Sequence, residues 1–450
     1  MVSASQDLRP WLASEIADAV DGRLVGADVT VRGVSTDSRE VRAGSTFVPL
    51  LDQRDGHEFI SSARLAGATC WLTSKPTETE GEIVVEDTAK ALTAWGSVAR
   101  HLLPNRVVGI TGSSGKTSTK DMLSAIFRCE GPVAASVKSF NNEIGVPLTL
   151  INAPDGAVAA VIEMGARGKG HIATLCAVAR PTVGVIVNIG TAHRELFGSA
   201  EGTADAKSEI YDSLRGDGTS VVNHDDALYP TMRARARGQV ITFSRGGAAT
   251  ATVVAEDVHI DDEIRASFVL RSEWGTLPVR LGARGLHQVE NALAAASAAF
   301  AAGARLDHIG GGLATTELSP MRMDLSTGPS GVRVLNDSYN ANPSSMRAAL
   351  EALVQIPAVR RFAVVGSMAE LGSGKLGFHL EIGALARDLG LDLAVSLGEQ
   401  DYGLLNVTSL DEVLDALGPL GLGDVVLVKG SRVAGLERVA ARLLSLGPTT

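Results

Sequence analysis

The sequence is poor in the features that mark disulfide-rich, zinc-binding and membrane-spanning proteins. Its three cysteines, Cys70, Cys129 and Cys176, cannot all pair and show no Cys-x-x-Cys spacing, which argues against a disulfide framework and a zinc site. The most apolar stretches, such as 183–189 and 293–302, are too short or too alanine-rich to cross a bilayer, which takes about 20 strongly apolar residues. The first residues also lack the basic-then-apolar order of a signal peptide. We therefore expect a cytoplasmic protein without membrane insertion.

Basic residues are outnumbered by acidic ones. The chain has 41 Lys and Arg against 51 Asp and Glu, so the formal charge is 41 − 51 = −10. Such a chain lacks the summed positive potential that attracts nucleic acid or anionic lipid, and we expect neither partner. Glycine, in contrast, is abundant at 49 residues, which indicates tight turns or close approach of a ligand to the backbone.

The order of strand-like and helical stretches predicts an α/β fold in three domains over the 450 residues. Residues 1–103 form a small N-terminal α/β domain, with strand-sized segments at 31–39 and 46–51 and a helix at 59–66. Residues 104–325 alternate apolar strands with helices, which is typical of a parallel sheet covered on both faces, and 251–281 looks like an antiparallel appendage. A linker near 322–331 then leads to a second, smaller doubly wound domain, Rossmann-like, at 326–450.

The strongest local motif is a glycine loop between a buried strand and a helix. It reads Val107-Val-Gly-Ile-Thr-Gly-Ser-Ser-Gly-Lys-Thr-Ser-Thr119. Gly112 and Gly115 let backbone N–H groups face a phosphate, Lys116 can reach the terminal phosphates, and Thr117 can hold Mg²⁺. The motif indicates a phosphate-binding loop, shorter than the common form because Ile110 stands where its first glycine would be.

Polar residues follow the next two strands. Glu163 ends an apolar strand, and Asn188 and His193 follow another. Ligands of open α/β sheets collect at these strand ends, so the carboxylate and imidazole suit a metal site beside the phosphates. Imidazole is an unusual magnesium ligand, and a hydrogen-bonded loop histidine remains the alternative for His193.

Other polar residues permit two interpretations each. Lys207 lies on a helix and by itself resembles a solvated charge. His287 and Asn291 share a helix face, where Asn291 could bind an adenine edge or serve as a cap. Asp337-Ser-Tyr-Asn-Ala-Asn-Pro343 carries more polar groups than a turn needs, although a turn with a helix cap would also explain it.

Taken together, these segments resemble the Mur ligases of bacterial peptidoglycan synthesis over nearly the whole chain. The segments are Thr111-Gly-Ser-Ser-Gly-Lys-Thr117, Ser139-Phe-Asn-Asn-Glu-Ile-Gly-Val-Pro147, Glu163-Met-Gly-Ala166, Asn188-Ile-Gly-Thr-Ala-His193, Ala206-Lys-Ser-Glu209, Met321-Arg322, Asp337-Ser-Tyr-Asn-Ala-Asn-Pro343 and Lys429-Gly-Ser-Arg432. Within the family the pattern is closest to the branch that adds D-alanyl-D-alanine, because of 140–147, 339–343 and Met368-Ala-Glu-Leu-Gly372. Ser35-Thr-Asp-Ser-Arg39 resembles a segment of the domain that, in these ligases, holds the uridine-diphosphate part of the substrate.

The resemblance implies an ATP-dependent ligase of peptidoglycan precursor synthesis. It would join D-alanyl-D-alanine to UDP-N-acetylmuramoyl-tripeptide through an acyl phosphate, releasing ADP and phosphate. Domain 1–103 would bind the UDP-sugar, 104–325 would bind ATP, and 326–450 would close over the nucleotide and bring the amine. A monomer is expected.

The resemblance also assigns expected roles to residues. ATP would contact Thr111, Gly112, Ser113, Ser114, Gly115, Lys116, Thr117 and Ser118, with Asn291 on adenine, Arg322 on a phosphate and Asp337 on the ribose. The expected catalytic set is Lys116, Glu163, His193 and Lys207. Of two Mg²⁺ ions, one would bind Thr117 and Glu163 and the other Glu163 and His193, with Lys207, carbamylated by CO₂, as an anionic ligand of the second. UDP-substrate contacts would be Ser38, Asn141, Asn142 and Arg167, and the dipeptide carboxylate would meet Lys429 and Arg432.

Two alternatives stay open at this point. One is a Mur-type ligase that joins a different amine or carboxylate; the diamino-acid-adding branch carries Asp-Asn-Pro-Arg in its last domain, which this sequence lacks. The other is a P-loop NTPase or switch protein that makes no bond, which would leave His193, Lys207 and the polar strand ends of the last domain unexplained.

Overall fold

A computed structural model describes residues 8–137, 140–190 and 197–447 of the chain. The architecture is α/β, as expected, with strands gathered into three main sheets and one short pair. The helices are α1 (Ala13–Ala19), α2 (Ile60–Leu65), α3 (Thr88–His101), α4 (Lys116–Arg128), α5 (Gly145–Ile151), α6 (His171–Ala179), α7 (Ala200–Asp212), α8 (Tyr229–Arg235), α9 (Gln288–Ala301), α10 (Leu306–Thr315), α11 (Pro343–Gln355), α12 (Lys375–Asp388), α13 (Leu410–Leu417) and α14 (Glu437–Leu444).

The N-terminal part contains a five-stranded sheet. Its strands are β2 (Arg23–Leu24), β4 (Val34–Ser35), β5 (Thr46–Phe47), β6 (Cys70–Thr73) and β7 (Glu82–Val84), in the order β2-β7-β6-β5-β4, while β1 (Pro10–Leu12) pairs with β3 (Thr30–Arg32). The strand expected over 31–39 is therefore broken in two. Gly33, with φ of +82°, lies at the break and turns the chain from one sheet to the other. The strand expected over 46–51 is likewise limited to its first two residues.

The central sheet has nine strands and supplies the framework of the site. The strands are β8 (Val107–Thr111), β9 (Val133–Ala135), β10 (Ala159–Glu163), β11 (Val183–Ile186), β12 (Thr219–Asn223), β13 (Gln239–Ser244), β14 (Val253–Ile260), β15 (Arg265–Ser272) and β16 (Gly275–Arg284). Their order is β16-β15-β14-β13-β12-β11-β8-β10-β9. From β9 to β14 all neighbours are parallel, and β15 and β16 add an antiparallel edge. The expected appendage is thus an extension of the same sheet, and its first strand, β14, runs parallel to β13.

Complete burial of the central strands explains their apolar composition. Every residue of β8, β10 and β12 is buried, because α-helices and the N-terminal part cover one face of the sheet and α4, α9 and α10 cover the other. A parallel sheet covered in this way leaves only its strand ends accessible for chemistry.

The C-terminal sheet has six strands. They are β17 (Asp324–Thr327), β18 (Arg333–Asn336), β19 (Arg360–Val365), β20 (Leu393–Leu397), β21 (Leu405–Val407) and β22 (Asp424–Lys429), in the order β17-β18-β22-β19-β20-β21. The linker interpretation of 322–331 was wrong in part: residues 324–327 form β17, an edge strand antiparallel to β18. The other neighbours are parallel, with helices on both faces.

Side chains join the three parts. The side-chain amide of Asn152, just after α5, accepts a hydrogen bond from the Val34 N–H at 2.8 Å and donates one to the Val34 carbonyl at 3.0 Å. It therefore pairs with β4 as a neighbouring strand would. Ile264, in the turn between β14 and β15, is buried in the hydrophobic core of the C-terminal sheet with Met323 and Leu335. Across the described ranges, no helix is both long and apolar enough to span a bilayer.

Candidate active site

The glycine loop lies where β8 ends and α4 begins, as predicted. Gly115 precedes the first helical residue and has φ of +76°. A Cβ atom placed on Gly115 would stand 2.1 Å from the Asn291 Oδ1 atom, so a side chain is excluded there by conformation and by space. The N–H groups of the first turn of α4, from Lys116 to Ser118, have no helical acceptor and form an anion site together with the helix dipole.

The backbone N–H groups of the two serines in the loop both bind to Asn188. Ser113 N–H donates to the Asn188 carbonyl at 3.0 Å, and Ser114 N–H donates to the Asn188 side-chain oxygen at 3.0 Å. These N–H groups therefore hold the loop to the end of β11 and do not face a phosphate. The Ser113 hydroxyl is buried without a hydrogen-bond partner among the described residues, as is the Thr111 hydroxyl. An acceptor or donor from a ligand would satisfy them.

Sequence reasoning missed Glu290, which orients Asn188. The Glu290 carboxylate accepts from the Asn188 amide at 3.3 Å and from the Asn223 amide at 3.2 Å, so the Asn188 oxygen is left to face Ser114. Burial raises the pKa of Glu290. The only signal in the sequence was an acidic residue next to Asn291 in an alanine-rich helix. Helical periodicity does not reveal which residues of other elements such an acid contacts, so this signal was not enough.

Two lysines converge on one backbone oxygen. The Lys116 ammonium donates to the Gly112 carbonyl at 2.7 Å, and the Lys207 nitrogen, from α7, donates to the same carbonyl at 3.1 Å. Lys207 is only 1% exposed, so the interpretation as a solvated charge was wrong. Burial, reinforced by the Lys116 charge, holds the pKa of Lys207 well below its usual value, and burial also lowers the pKa of Lys116. Burial therefore favours the uncharged amine of Lys207 near the phosphate loop.

The residues expected to bind the first metal ion lie together. The Thr117 hydroxyl donates to Glu163 Oε2 at 2.8 Å, and the Asn141 amide donates to Glu163 Oε1 at 2.9 Å. Thr117 and Glu163 are buried. A hydroxyl and a carboxylate side by side are ligands that Mg²⁺ prefers, so this pair fits the ion. His193, expected at the second ion, lies outside the described residues.

The C-terminal part contributes the other wall of the site. Arg322 donates to the Thr117 hydroxyl at 2.9 Å, and its guanidinium lies 4.2 Å from the centre of the Tyr339 ring. Its Nε is buried without a partner among the described residues. Asp337 pairs with Lys429 at 2.5 Å and accepts from the Met323 N–H at 3.1 Å. Arg322 and Asp337, expected on the nucleotide, therefore both lie between the central and C-terminal sheets.

The expected adenine contact forms a small amide cluster. The Asn291 amide donates to Gln288 at 2.8 Å, and the Gln288 amide lies 3.0 Å from His287 Nε2. Burial lowers the pKa of His287 to about 4, so the imidazole is neutral at physiological pH and can accept a hydrogen bond there. Amide and imidazole groups of this kind can match the donor and acceptor edge of a base.

The residues expected to touch the substrates are divided by the structure into engaged and available groups. Asn142 accepts from Gly145 N–H at 2.9 Å at the start of α5, and Lys429, 1% exposed, donates to Asp337 and to the Asn340 carbonyl. Arg167 and Arg432 are exposed, Arg432 in an ion pair with Glu437 at 3.1 Å, and Ser38 is half-buried. Arg167 is therefore better placed than Arg432 to receive an anionic ligand without losing a partner.

Comparison with known proteins shows which family the chain is similar to. The model of the Mur ligase middle domain matches residues 110–299, and that of the Mur ligase glutamate ligase domain matches residues 321–432. The chain is 35% identical to the UDP-N-acetylmuramoyl-tripeptide–D-alanyl-D-alanine ligase of Escherichia coli over 96% of its own length and 98% of the relative's. It is 36% identical to the Mycobacterium tuberculosis ligase of that name, over 95% and 94% of the two chains.

Solved structures agree. A crystal structure of MurF from Acinetobacter baumannii superposes with a TM-score of 0.86 at 30% identity, covering 97% of this chain and 99% of that one. MurF ligase from Thermotoga maritima in complex with ADP superposes with a TM-score of 0.79 at 30% identity, covering 92% and 97%.

Proposed function

The chain belongs to the Mur ligase family, and we propose that it is the ligase that joins D-alanyl-D-alanine to UDP-N-acetylmuramoyl-tripeptide with ATP in peptidoglycan synthesis. The observation that carries the amine assignment is end-to-end similarity to relatives that bear this activity in their names, in both sequence and structure. The chemistry is carried by the phosphate loop, with Lys116, Thr117 and Glu163 brought together at its edge.

A carboxylate is a poor electrophile, so a ligase first activates it by phosphorylation. Phosphoryl transfer asks the protein mainly for positioning and for neutralisation of charge. Lys116, at the Gly112 carbonyl of the loop, and Arg322, which contacts Thr117 from the opposite wall, supply that charge. Burial lowers the pKa of Lys116. An anionic triphosphate bound beside Lys116 would raise that pKa again and so favour the charged ammonium.

Thr117 and Glu163 would hold a magnesium ion, which supplies additional positive charge to the phosphate oxygens. Asn141 positions Glu163 by donating to Oε1, which leaves Oε2 directed at Thr117. The chain's own contribution is thus a pair of oxygen ligands whose orientation is set before any ligand arrives. His193 and a second ion stay a prediction from the family resemblance.

We further propose that Lys207 carries a carbamate. In that reaction the uncharged amine attacks CO₂, forms an N–C bond and releases one proton. The uncharged amine that this step needs is favoured by burial and by the nearby Lys116 ammonium. The product would place a negative charge near the Lys116 ammonium, and the two groups would attract each other.

The nucleotide and substrate contacts are proposed from the same arrangement. Asn291 would meet adenine, Arg322 a phosphate and Asp337 the ribose. Arg167 is proposed for the UDP-substrate and Arg432 for the dipeptide carboxylate, since both are exposed cations. Asn141, Asn142 and Lys429 are better explained as residues that orient the walls of the site, and Ser38 stays a predicted contact.

The domain limits 1–103, 104–325 and 326–450 are proposed as functional units that bind the UDP-sugar, ATP and the amine. The limits fall between the N-terminal, central and C-terminal sheets, except that β17 crosses the second limit. A cytoplasmic location is proposed with them, because both substrates named above are small soluble molecules, and a monomeric state stays a prediction from the family resemblance.

The proposal is tested by ADP release from purified protein with ATP, Mg²⁺ and the two substrates, alone and together. We expect release to require both the UDP-tripeptide and D-alanyl-D-alanine, and to be abolished in Lys116→Ala. A screen of other amines at the same carboxylate substrate distinguishes the amine assignment from ligase chemistry in general. Basal ATP hydrolysis that neither substrate changes would refute ligase activity.

A further inference from the structure

The segment that leads from α10 to β17 contacts the helix of the phosphate loop before it enters the C-terminal part. Its residues 319–323 read Ser-Pro-Met-Arg-Met and include Arg322. Arg322 donates to the Thr117 hydroxyl at 2.9 Å, and Ser319 N–H donates to Asp121 Oδ2 at 2.8 Å. The segment is thus bound to α4 at two points, and the second of them, Asp121, has no role in the chemistry described above.

The two points of attachment lie one helical turn apart on α4. Thr117 and Asp121 are four residues apart, which places them on the same face of the helix and about 6 Å apart along its axis. The three steps from Ser319 to Arg322 can span at most about 11 Å. Both hydrogen bonds therefore form together, with the segment antiparallel to α4 and Arg322 at the end nearest the glycine loop.

The C-terminal part holds the other end of the segment. Tyr339 N–H donates to the Met321 carbonyl at 3.2 Å, and Met323 N–H donates to Asp337 at 3.1 Å. Met321 and Met323 have φ of +61° and +52°, a left-handed conformation that residues other than glycine seldom adopt. The backbone on both sides of Arg322 is therefore fixed by contacts from outside the segment.

Asp121 is itself held in place by a buried lysine. Lys120 Nζ lies 2.8 Å from Asp121 Oδ1 and donates to the Ser136 carbonyl at 2.9 Å. Lys120 is 4% exposed, and the Asp121 side chain is 12% exposed. One oxygen of the carboxylate is therefore occupied by Lys120, and the other is directed at Ser319.

We propose that Asp121 is a positioning residue for nucleotide binding: it ties Ser319 to α4 and so directs the Arg322 guanidinium to a nucleotide phosphate at the glycine loop. The inference rests on the proposed contact between Arg322 and a phosphate. An arginine side chain has many rotamers, and ordering it only when the ligand arrives weakens binding. The bond between Asp121 and Ser319 reduces this loss because the backbone that carries Arg322 is already in place. Asp121 acts through Arg322 and needs no contact of its own with the nucleotide.

The test compares two double variants by ADP titration, Lys120→Met/Asp121→Asn and Lys120→Met/Asp121→Leu. Both replace the buried ion pair, so neither leaves a buried charge without its partner. Asparagine and leucine have nearly the same size, but only asparagine has an oxygen that can accept from Ser319 N–H. We expect the leucine variant to bind ADP about fivefold more weakly than the asparagine variant. Asp121→Ala, which also lacks the acceptor, is measured alongside and should show a similar loss relative to the wild type.

A second comparison separates positioning of Arg322 from a general structural effect. The two double variants are also made together with Arg322→Met, which alone should weaken ADP binding about tenfold. In that background the leucine and asparagine variants should differ by no more than about twofold, because no guanidinium is left to position. A purely structural loss would instead reduce affinity by the same factor in both backgrounds.

Equal ADP affinities of the leucine and asparagine variants would overturn the inference, and so would a difference that persists in full beside Arg322→Met. Unchanged affinity of Arg322→Met would refute the phosphate contact and this inference with it. If the wild type itself binds no ADP, the proposed nucleotide site fails as well. If the wild type and Arg322→Met behave as expected and the acceptor at position 121 has no effect, the ligase proposal stands and this inference alone fails.

Discussion

Replacement of Gly115 by alanine tests whether the phosphate loop and the adenine cluster are packed against each other. The alanine would have to adopt the left-handed φ of +76° that Gly115 has. Its Cβ atom would stand 2.1 Å from the Asn291 side-chain oxygen, well inside contact distance. Asn291 is buried and bonded to Gln288, so it can move only by breaking that bond. The expected cost is roughly 1–2 kcal/mol for the left-handed backbone and about 1–3 kcal/mol for a buried amide left unpaired.

Gly303→Ala is the matched control. Gly303 follows α9 and has φ of +75°, yet a Cβ atom there would meet nothing within 4 Å. This variant should lose only the backbone contribution, roughly 1–2 kcal/mol, and should bind ADP normally. The difference between the two variants therefore isolates the contact with Asn291.

Chemical denaturation and ADP titration measure both effects. We expect Gly115→Ala to lose about 1–3 kcal/mol more unfolding free energy than the control and to bind ADP at least about tenfold more weakly. Equal stability losses in the two variants, with unchanged ADP affinity in Gly115→Ala, would refute the close packing of Asn291 on the loop.

Four further predictions concern single side chains, three of them changes at Lys207 and Arg322 around the phosphate loop and one at His379 in the C-terminal part. Because the pKa of Lys207 is lowered in the folded state, the unfolded chain binds its proton more readily; the stability of the wild type relative to Lys207→Met should therefore rise with pH toward about 10.4, by up to about 1.4 kcal/mol per pH unit, in denaturation curves at several pH values. If the Lys207 carbamate is catalytic, Lys207→Ala should be inactive and partly rescued by a short carboxylic acid, and full activity of the alanine variant would exclude that role. Arg322→Lys keeps the charge but loses the guanidinium contact to Thr117, so ADP titration should show about tenfold weaker binding, or ~1.4 kcal/mol; unchanged affinity would contradict the contact. His379→Phe removes the acceptor of the buried Met368 N–H, and thermal denaturation should show a loss of about 1–3 kcal/mol, whereas wild-type stability would argue against that bond.

The elements that carry the site could be predicted from sequence where local pattern and tertiary structure agree. The position of the phosphate loop between β8 and α4 was predicted because an apolar strand, a glycine loop and a helix follow one another in the sequence. Glu163 lies beside Thr117 because carboxyl ends of neighbouring parallel strands share one edge of a sheet. β17 was missed because Asp324-Leu-Ser-Thr327 is a short edge strand without apolar alternation.

The environment of a polar side chain was much harder to predict. Lys207 has the pattern of a surface charge, and its burial results from packing of α7 on the phosphate loop, which no local signal reports. Asn142 and Lys429 have residue types suited to substrate binding, yet both are hydrogen-bonded within the protein. A polar side chain that is bonded within the protein and one that binds a ligand look the same in a sequence, and only the distances to partners distinguish them.

The central claim, that the carboxylate is phosphorylated before the amine attacks, is tested most directly by labelling. UDP-N-acetylmuramoyl-tripeptide with ¹⁸O in its terminal carboxylate is turned over with ATP and D-alanyl-D-alanine, and the released phosphate and the peptide product are weighed by mass spectrometry. An acyl phosphate predicts one ¹⁸O atom in phosphate and one in the new amide for each ADP formed. Unlabelled phosphate released alongside the amide product would contradict this account.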